Sequence, residues 1–408
     1  MSRGLVLQKQ AWLPSFVLPC CLLLPACTRG EAAPDAAPSP VVGVDAKLGP
    51  ADRALSWTPE QQQAGYGHMD KLYPVRAISR TRTEAKPAFP LPVKLRDLSQ
   101  LKIEGRYSLA DFRERYRVAG MLIVSRGQIV YEDYAYGHSS ATKWTSWSVA
   151  KSIVALLVGT ALQDGHIASL DDPASRYLTA LADGAYRGVT IRQLMQMRTG
   201  VAWNEDYLDP ASDVRTMRTP MREGSVAFVR YMSGKARAAE PGTVWNYNTG
   251  ETYLLGAVLR GAVGNNLSSY LSRTIWSKFA MEDDGYWMLD GEHGDEQSGC
   301  CLSATLRDYA RLGLFALQQG RLADGTAVLP EGYLQQATQR SQPEAPYGFM
   351  WWINQGSYSA RGIFGQELRV YPASELVIVT HGLAKLPTES FEYASHLFDG
   401  INEALTQP

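Results

Sequence analysis

The sequence predicts an α+β fold. It is an α/β sandwich in which helices flank one antiparallel sheet built from both ends of the chain, with a mainly helical insertion from about 165 to 340. Three observations predict it. Strand-like apolar runs appear at 120–134 and return at 349–381. Between them the patterns are mainly helical, at 191–197, 251–262, 268–279 and 303–319, separated by turn-rich loops. A helix that is apolar on every side over Ile153–Leu162 follows soon after the early strands. Early strands, late strands and helices between them let the two ends pair in one sheet while the middle folds apart.

In chain order, residues 1–27 lie outside that fold. Arg3 and Lys9 precede an apolar stretch from Ala11 to Ala26, interrupted by Pro14, Pro19 and Pro25. A basic start and an apolar region too short to span a bilayer comfortably is the pattern of an export signal. It closes on Leu24–Pro25–Ala26–Cys27, which resembles a bacterial lipoprotein cleavage box. That resemblance implies a lipidated Cys27 holding the chain in the cell envelope, facing the periplasm; a plain secretory signal or an uncleaved anchor are the alternatives. Residues 28–56, rich in Ala, Pro and Asp up to about 50, read as a disordered tether, and 57–108 as an irregular arm wrapped on the body. The main domain, 109–408, opens with a short helix near Ala110. A hairpin follows, its strands 120–124 and 128–134 flanking Ser125–Arg126–Gly127. Thr145 or Ser146 can cap the apolar helix and Gly165 can end it. The late part offers an apolar run at 349–353, strands at 367–371 and 375–381, and a final helix from about 390 to 405.

Composition narrows the function. The 408 residues are 45% hydrophobic and 20% charged, with a net charge of −1 and no Lys/Arg run, which argues against nucleic-acid binding. Cys20, Cys21 and Cys27 belong to the signal; Cys300 and Cys301 are adjacent, so a bond between them would be strained, and no disulfide framework is expected. The six histidines form no pair at metal-ligand spacing, and neither a metal nor a cofactor is expected.

The chemistry concentrates at Ser148–Val149–Ala150–Lys151. Three residues apart on a helix, a hydroxyl and an amine share a face. The unpaired N–H groups of a helix N-terminus favour an alkoxide or a nearby oxyanion. A lysine in an apolar setting has a lowered pKa and can take the serine's proton, which makes an activated nucleophile. A helix cap beside a solvated lysine would show the same spacing, but lysine is seldom placed in an apolar run. A second S-x-x-K, Ser99 to Lys102, has no long apolar helix behind it and reads as surface.

Together with that tetrad, three further stretches carry a family resemblance: Met197 to Tyr207, Pro241 to Tyr247, and Gly362–Ile363–Phe364–Gly365–Gln366. From about Trp57 onward the chain resembles the serine hydrolases related to class C β-lactamases, most of all the branch of 6-aminohexanoate-dimer hydrolases and carboxylesterases. The resemblance implies a β-lactamase/transpeptidase-like fold. It makes Tyr247 the tyrosine of a Y-x-N motif, able to shuttle a proton between Ser148, Lys151 and the leaving group, with Lys151 stabilising its phenolate. It implies an oxyanion hole from the backbone N–H groups of Ser148 and Ile363, with Gly362 permitting close backbone approach. It further implies that the aromatic and acidic loop 203–213 folds over the site, with Tyr207 binding substrate. Two departures stand out. Thr249 replaces the Asn of Y-x-N, which in β-lactamases helps hold the substrate amide. Ala360–Arg361–Gly362 replaces K-T-G, and Arg361 is one residue off, towards the other face of a strand. Arg198–Thr199–Gly200 imitates that motif but comes too early. Trp351 and Trp352 read as core, and G-x-S-x-G, the mark of α/β-hydrolases, is absent.

The expected function is cleavage of a small-molecule ester or amide through an acyl-enzyme on Ser148, with no nucleic-acid partner. A β-lactamase or D-Ala-D-Ala carboxypeptidase, and a non-catalytic envelope protein of the same fold, are the alternatives.

Overall fold

A computed structural model describes residues 47–80 and 91–406. The export signal, Cys27 and most of the tether lie outside the described residues. The tether ends sooner than its composition suggests: Ala51–Ser56 already form a 3-10 turn with Ala54 buried. The reason is Trp57, whose indole N–H donates to the Pro50 carbonyl and whose ring stacks on Tyr66. Helix α1 (Pro59–Gly65) follows behind a capping box of Thr58 and Gln61. Then come β1 (Val75–Ile78), the short pair β2 (Lys102–Ile103) and β3 (Tyr107–Ser108), and α2 (Leu109–Arg115) capped by the Ser108 side chain.

The expected hairpin is present as β4 (Val118–Ser125) and β5 (Gln128–Tyr134). Arg126 and Gly127 both have positive φ, +49° and +73°, as the two-residue turn between twisted strands demands. Strand β6 (Trp144–Thr145) leads into α3 (Val149–Gln163), which is buried from Val149 to Ala161. Its N-cap is Ser148, not Thr145 or Ser146; Thr145 is in the strand and the Ser146 hydroxyl donates to the Trp147 carbonyl. Gly165, at φ +76°, follows the C-cap as expected.

The insertion holds α4 (Ile191–Met195), α5 (Asp213–Thr216), α6 (Arg218–Arg222), α7 (Ser225–Ser233), α8 (Thr249–Val263) and α9 (Leu267–Leu271). It also holds two strands that the helical patterns hide, β7 (Gly285–Met288) and β8 (Leu302–Ala304), before α10 (Leu306–Leu317) and α11 (Tyr333–Ala337). The chain ends with β9 (Trp352–Asn354), β10 (Ser357–Gly362), β11 (Gln366–Tyr371), β12 (Leu376–Gly382) and α12 (Phe391–Thr406). The apolar run at 349–353 is mostly turn, because Met350 sits at φ +60° and its carbonyl accepts from Ser152.

The main sheet has the order β5-β4-β12-β11-β10-β9 and is antiparallel throughout; β4 pairs with β12, so the two ends of the chain join at its centre. Both faces are covered. Leu122, Val124, Val377 and Val379 point into the core shared with α3, α8 and α10, while Met121, Ile123 and Ile378 alternate towards α2 and α12. A second sheet, β1-β7-β8-β6, corrects the expectation of a single one. Its strands are two to four residues long, too short to show a period-2 pattern. It matters for the site, because β6 runs into Ser148 and β8 runs out of Cys300–Cys301.

Candidate active site

Ser148 sits on a tight turn after β6. Trp147 before it holds φ at +44°, unusual for a bulky residue, and the serine is the first residue of the α3 cap. Its side chain is therefore free of capping duty. The Lys151 Nζ reaches Ser148 Oγ at 2.9 Å and also donates to the Gly299 carbonyl at 2.7 Å. Lys151 is 1% exposed. Burial disfavours its charged form, the negative charge of Glu205 offsets part of this, and the pKa falls to about 8. A base at that value is neutral often enough near neutral pH to accept a proton.

Tyr247 closes the other side. Its ring centroid is 5.4 Å from Lys151 Nζ, and its ring stacks on Trp352 at 5.4 Å with Tyr347 edge-on at 5.7 Å. Burial, and then the charge of Glu205, push the phenol far above its ordinary pKa; Ser148 pulls weakly the other way. Burial thus favours the phenol form of Tyr247 at rest. Trp352 departs from its expected place in the core: it is half-buried and backs the tyrosine, whereas Trp351 is core as expected.

Gly362 ends β10 beside the turn that carries Ser148. A Cβ there would lie 2.6 Å from the Ser146 carbonyl oxygen, so only glycine allows the approach. The next residue, Ile363, lines one cleft with Ser148 and Tyr207. Among the described residues the backbone N–H groups of Ser148 and Ile363 have no acceptor, as two donors kept for an oxyanion would. Arg361 points away from this cleft: Asn354, Ser359 and Glu367 hold its guanidinium, which lies over Phe391 of α12, while Ala360 is buried on the α3 side. Arg198 is also occupied, donating to the Ser341 and Gly242 carbonyls.

Glu205 is the residue that motif reading passed over. It accepts from the Tyr207 hydroxyl at 2.6 Å, from the Thr249 backbone N–H at 3.0 Å, and from the Thr249 hydroxyl and Trp203 indole. One carboxylate thereby fixes the 203–213 loop onto the start of α8 and supplies the charge felt by Lys151 and Tyr247. Thr249, which stands for the family's Asn, spends its hydroxyl on Glu205.

Cys300 and Cys301 are joined to each other, a bond between neighbours that no disulfide framework in the sequence announces. The left-handed backbone of Cys301, φ +74°, lets neighbouring side chains meet. Cys300 lines the cleft, next to the Gly299 that holds Lys151. No group of three or more His, Cys, Asp or Glu among the described residues could hold a metal. Two histidines do meet elsewhere: His138 Nε2 and His381 Nδ1 are 2.8 Å apart, stacked beneath Trp144.

With this geometry in hand, the comparisons fall into one pattern. The family model for Beta-lactamase matches residues 108–394. The chain belongs to the β-lactamase family. It is a hydrolase family, and the α+β fold is the one its members share. Among curated proteins the chain is similar to 6-aminohexanoate-dimer hydrolase of Paenarthrobacter ureafaciens, 27% identical over 343 residues that cover 77% of this chain and 83% of that one. Among solved structures it is similar to a Bacillus anthracis protein provisionally named a 6-aminohexanoate-dimer hydrolase, with TM-score 0.74 at 24% identity over 88% of this chain and 98% of the other. A D-alanine carboxypeptidase AmpC from Burkholderia cenocepacia shares the fold more distantly, with TM-score 0.53 at 17% identity over 71% and 96%. A wider apolar groove between α7 and α8, along Val226, Val229 and Ala257, does not include Ser148.

Proposed function

We propose that this β-lactamase-family hydrolase is a serine hydrolase of the esterase and 6-aminohexanoate-oligomer-hydrolase type. The observation that carries the reading is the 2.9 Å contact between a wholly buried Lys151 Nζ and Ser148 Oγ. Neutral Lys151 takes the Ser148 proton as Oγ attacks the carbonyl carbon. The N–H groups of Ser148 and Ile363 receive the oxyanion. Tyr247, held as a phenol, gives its proton to the departing oxygen or nitrogen and is reprotonated from Lys151. Water then attacks the acyl-enzyme by the same route in reverse, and Ser148 is restored. Tyr207, tied back by Glu205, forms a wall for the substrate.

The test is covalent labelling by a fluorophosphonate together with p-nitrophenyl ester turnover. Both should be present in the wild type and absent in a folded Ser148→Ala variant. Turnover surviving in that variant would end the assignment, and a wild type inert in both assays would favour a non-catalytic envelope protein. The β-lactamase or D-Ala-D-Ala carboxypeptidase reading is weaker, because Ala360 offers no cation and Thr249 is occupied. By its first 27 residues the enzyme is an exported, lipid-anchored protein of the cell envelope. Metabolic palmitate labelling lost in Cys27→Ala supports this; an unlabelled, fully soluble wild type contradicts it.

A further inference from the structure

Among the described residues that line the cleft with Ser148, Arg218 alone carries a formal charge. It stands at the start of α6, half-buried, among the apolar side chains of Leu55, Val214, Met217 and Met221. Its Nη1 donates to the Asp52 carbonyl oxygen at 2.9 Å, and the Tyr73 hydroxyl lies beside it. No carboxylate among the described residues lies within ion-pair distance of it. Arg260, Arg311 and Arg369, by contrast, are neutralised by Asp295, Glu282 and Glu367, and Arg198, which also has carbonyl partners, does not line the cleft. The adjoining depression shares Arg218, Met221 and Gln297 with the cleft and adds Arg222. It also contains Asp290, half-buried and with Asp295 and Arg260 as its charged neighbours. A guanidinium set in an apolar wall with only neutral acceptors keeps most of its capacity for an anion. Its planar fork fits a carboxylate with two parallel hydrogen bonds.

We propose that Arg218 is the anion-recognising residue of this cleft and that the substrate is a linear ester or amide bearing a free carboxylate. The inference rests on the serine-hydrolase reading and adds the substrate class to it. The cation comes from α6 and not from β10, so it is not the missing first residue of the K-T-G motif. Selectivity for acidic substrates and poor use of β-lactams are therefore compatible in one site.

Two substrate pairs test it. Mono-p-nitrophenyl adipate is compared with p-nitrophenyl hexanoate, which places the carboxylate on the acyl side. 4-Carboxyphenyl butyrate is compared with phenyl butyrate, which places it on the leaving side. In one pair the acidic member should have the higher kcat/KM by roughly 10- to 100-fold, the usual worth of a hydrogen-bonded charge. That ratio, measured on one preparation, should collapse in Arg218→Gln and recover in part in Arg218→Lys. Adipate should also slow fluorophosphonate labelling of Ser148 in the wild type and not in Arg218→Gln. Because ratios and protection are read, a general loss of activity in the variant does not imitate the result. Neutral esters turned over with no acidic preference in either pair, or a preference that persists in Arg218→Gln, overturns the role of Arg218 and leaves the serine reading standing. Failure of the wild type to hydrolyse any of the four esters overturns both.

Discussion

The Gly299 carbonyl oxygen fixes Lys151: Nζ donates to it at 2.7 Å while lying 2.9 Å from Ser148 Oγ. One backbone acceptor thus holds the Lys151 amine against the Ser148 hydroxyl without adding a second charge. A carboxylate in that place would have raised the lysine pKa and kept it protonated.

The pH profile should report this lysine. Its pKa is about 8, lowered by burial, and the neutral form is the base, so kcat/KM for a neutral ester should rise with pH and level off above about 8. Lys151→Ala should remove both the limb and nearly all turnover. A flat profile from pH 6 to 9 in the wild type would mean that Lys151 is not the proton acceptor.

Aryl esters should be used far better than nitrocefin. The contacts that β-lactam recognition relies on in related enzymes are missing at Ala360 and occupied at Thr249. A lost hydrogen bond to a charged or amide group costs about 1.5–3 kcal/mol, or roughly 10- to 100-fold. Acyl transfer uses none of these contacts. The measurement is kcat/KM for p-nitrophenyl acetate and nitrocefin side by side; equality, or a preference for nitrocefin, contradicts the esterase assignment.

Reduction of Cys300–Cys301 should slow the enzyme. The bridge follows Gly299 directly and holds Cys301 in a left-handed backbone that a free residue of this type rarely keeps. Cys300 is partly exposed to the cleft, so a dithiol can reach it. Loosening one hydrogen bond to the base corresponds to a loss of about tenfold in kcat. The Cys300→Ser/Cys301→Ser double variant should be slow and indifferent to reductant. Wild-type kcat unchanged after complete reduction, verified by thiol titration, would show that the bridge does not act on Lys151.

Acid should destabilise the fold through His138 and His381. Burial lowers both, His138 to about 4, and His381 is also lowered by its neighbour's charge. An unfolded histidine titrates near 6.5. Between those values the unfolded chain binds protons that the folded chain refuses, so stability present above about pH 6.5 is lost as pH falls towards 4. Each histidine contributes up to about 1.4 kcal/mol per pH unit in that window. Tm followed from pH 7 to 4.5 should drop, and His138→Gln should flatten the slope; an identical slope in the variant contradicts the account.

Ser148 and Lys151 were legible because their geometry is local: three residues on one helix fix their separation whatever the rest of the chain does. Tyr247 and Ile363 were legible only through motif order, since nothing near them in sequence says where they end up. Glu205 lay inside a motif already singled out, yet its partners Trp203, Tyr207 and Thr249 come from two segments, and no periodicity marks a carboxylate that serves four donors. The second sheet escaped for a related reason. Strands of two to four residues are held by pairing between distant segments, as when Trp144 meets Ala304, and carry no pattern of their own. The helix start was misplaced because a serine that caps by position can still keep its hydroxyl for another partner.

The family match begins at residue 108, yet Leu55 forms part of the cleft wall and Asp52 steadies Arg218 from the same turn. On the reading proposed above, bond-breaking and substrate choice draw on different stretches of one polypeptide. Changes at 51–56 should then alter which molecules enter while Ser148, Lys151 and Tyr247 stay untouched. Trimming the protein to the matched segment would cost more than this wall, because β1 and the Tyr66 ring that packs on Trp147 would go with it.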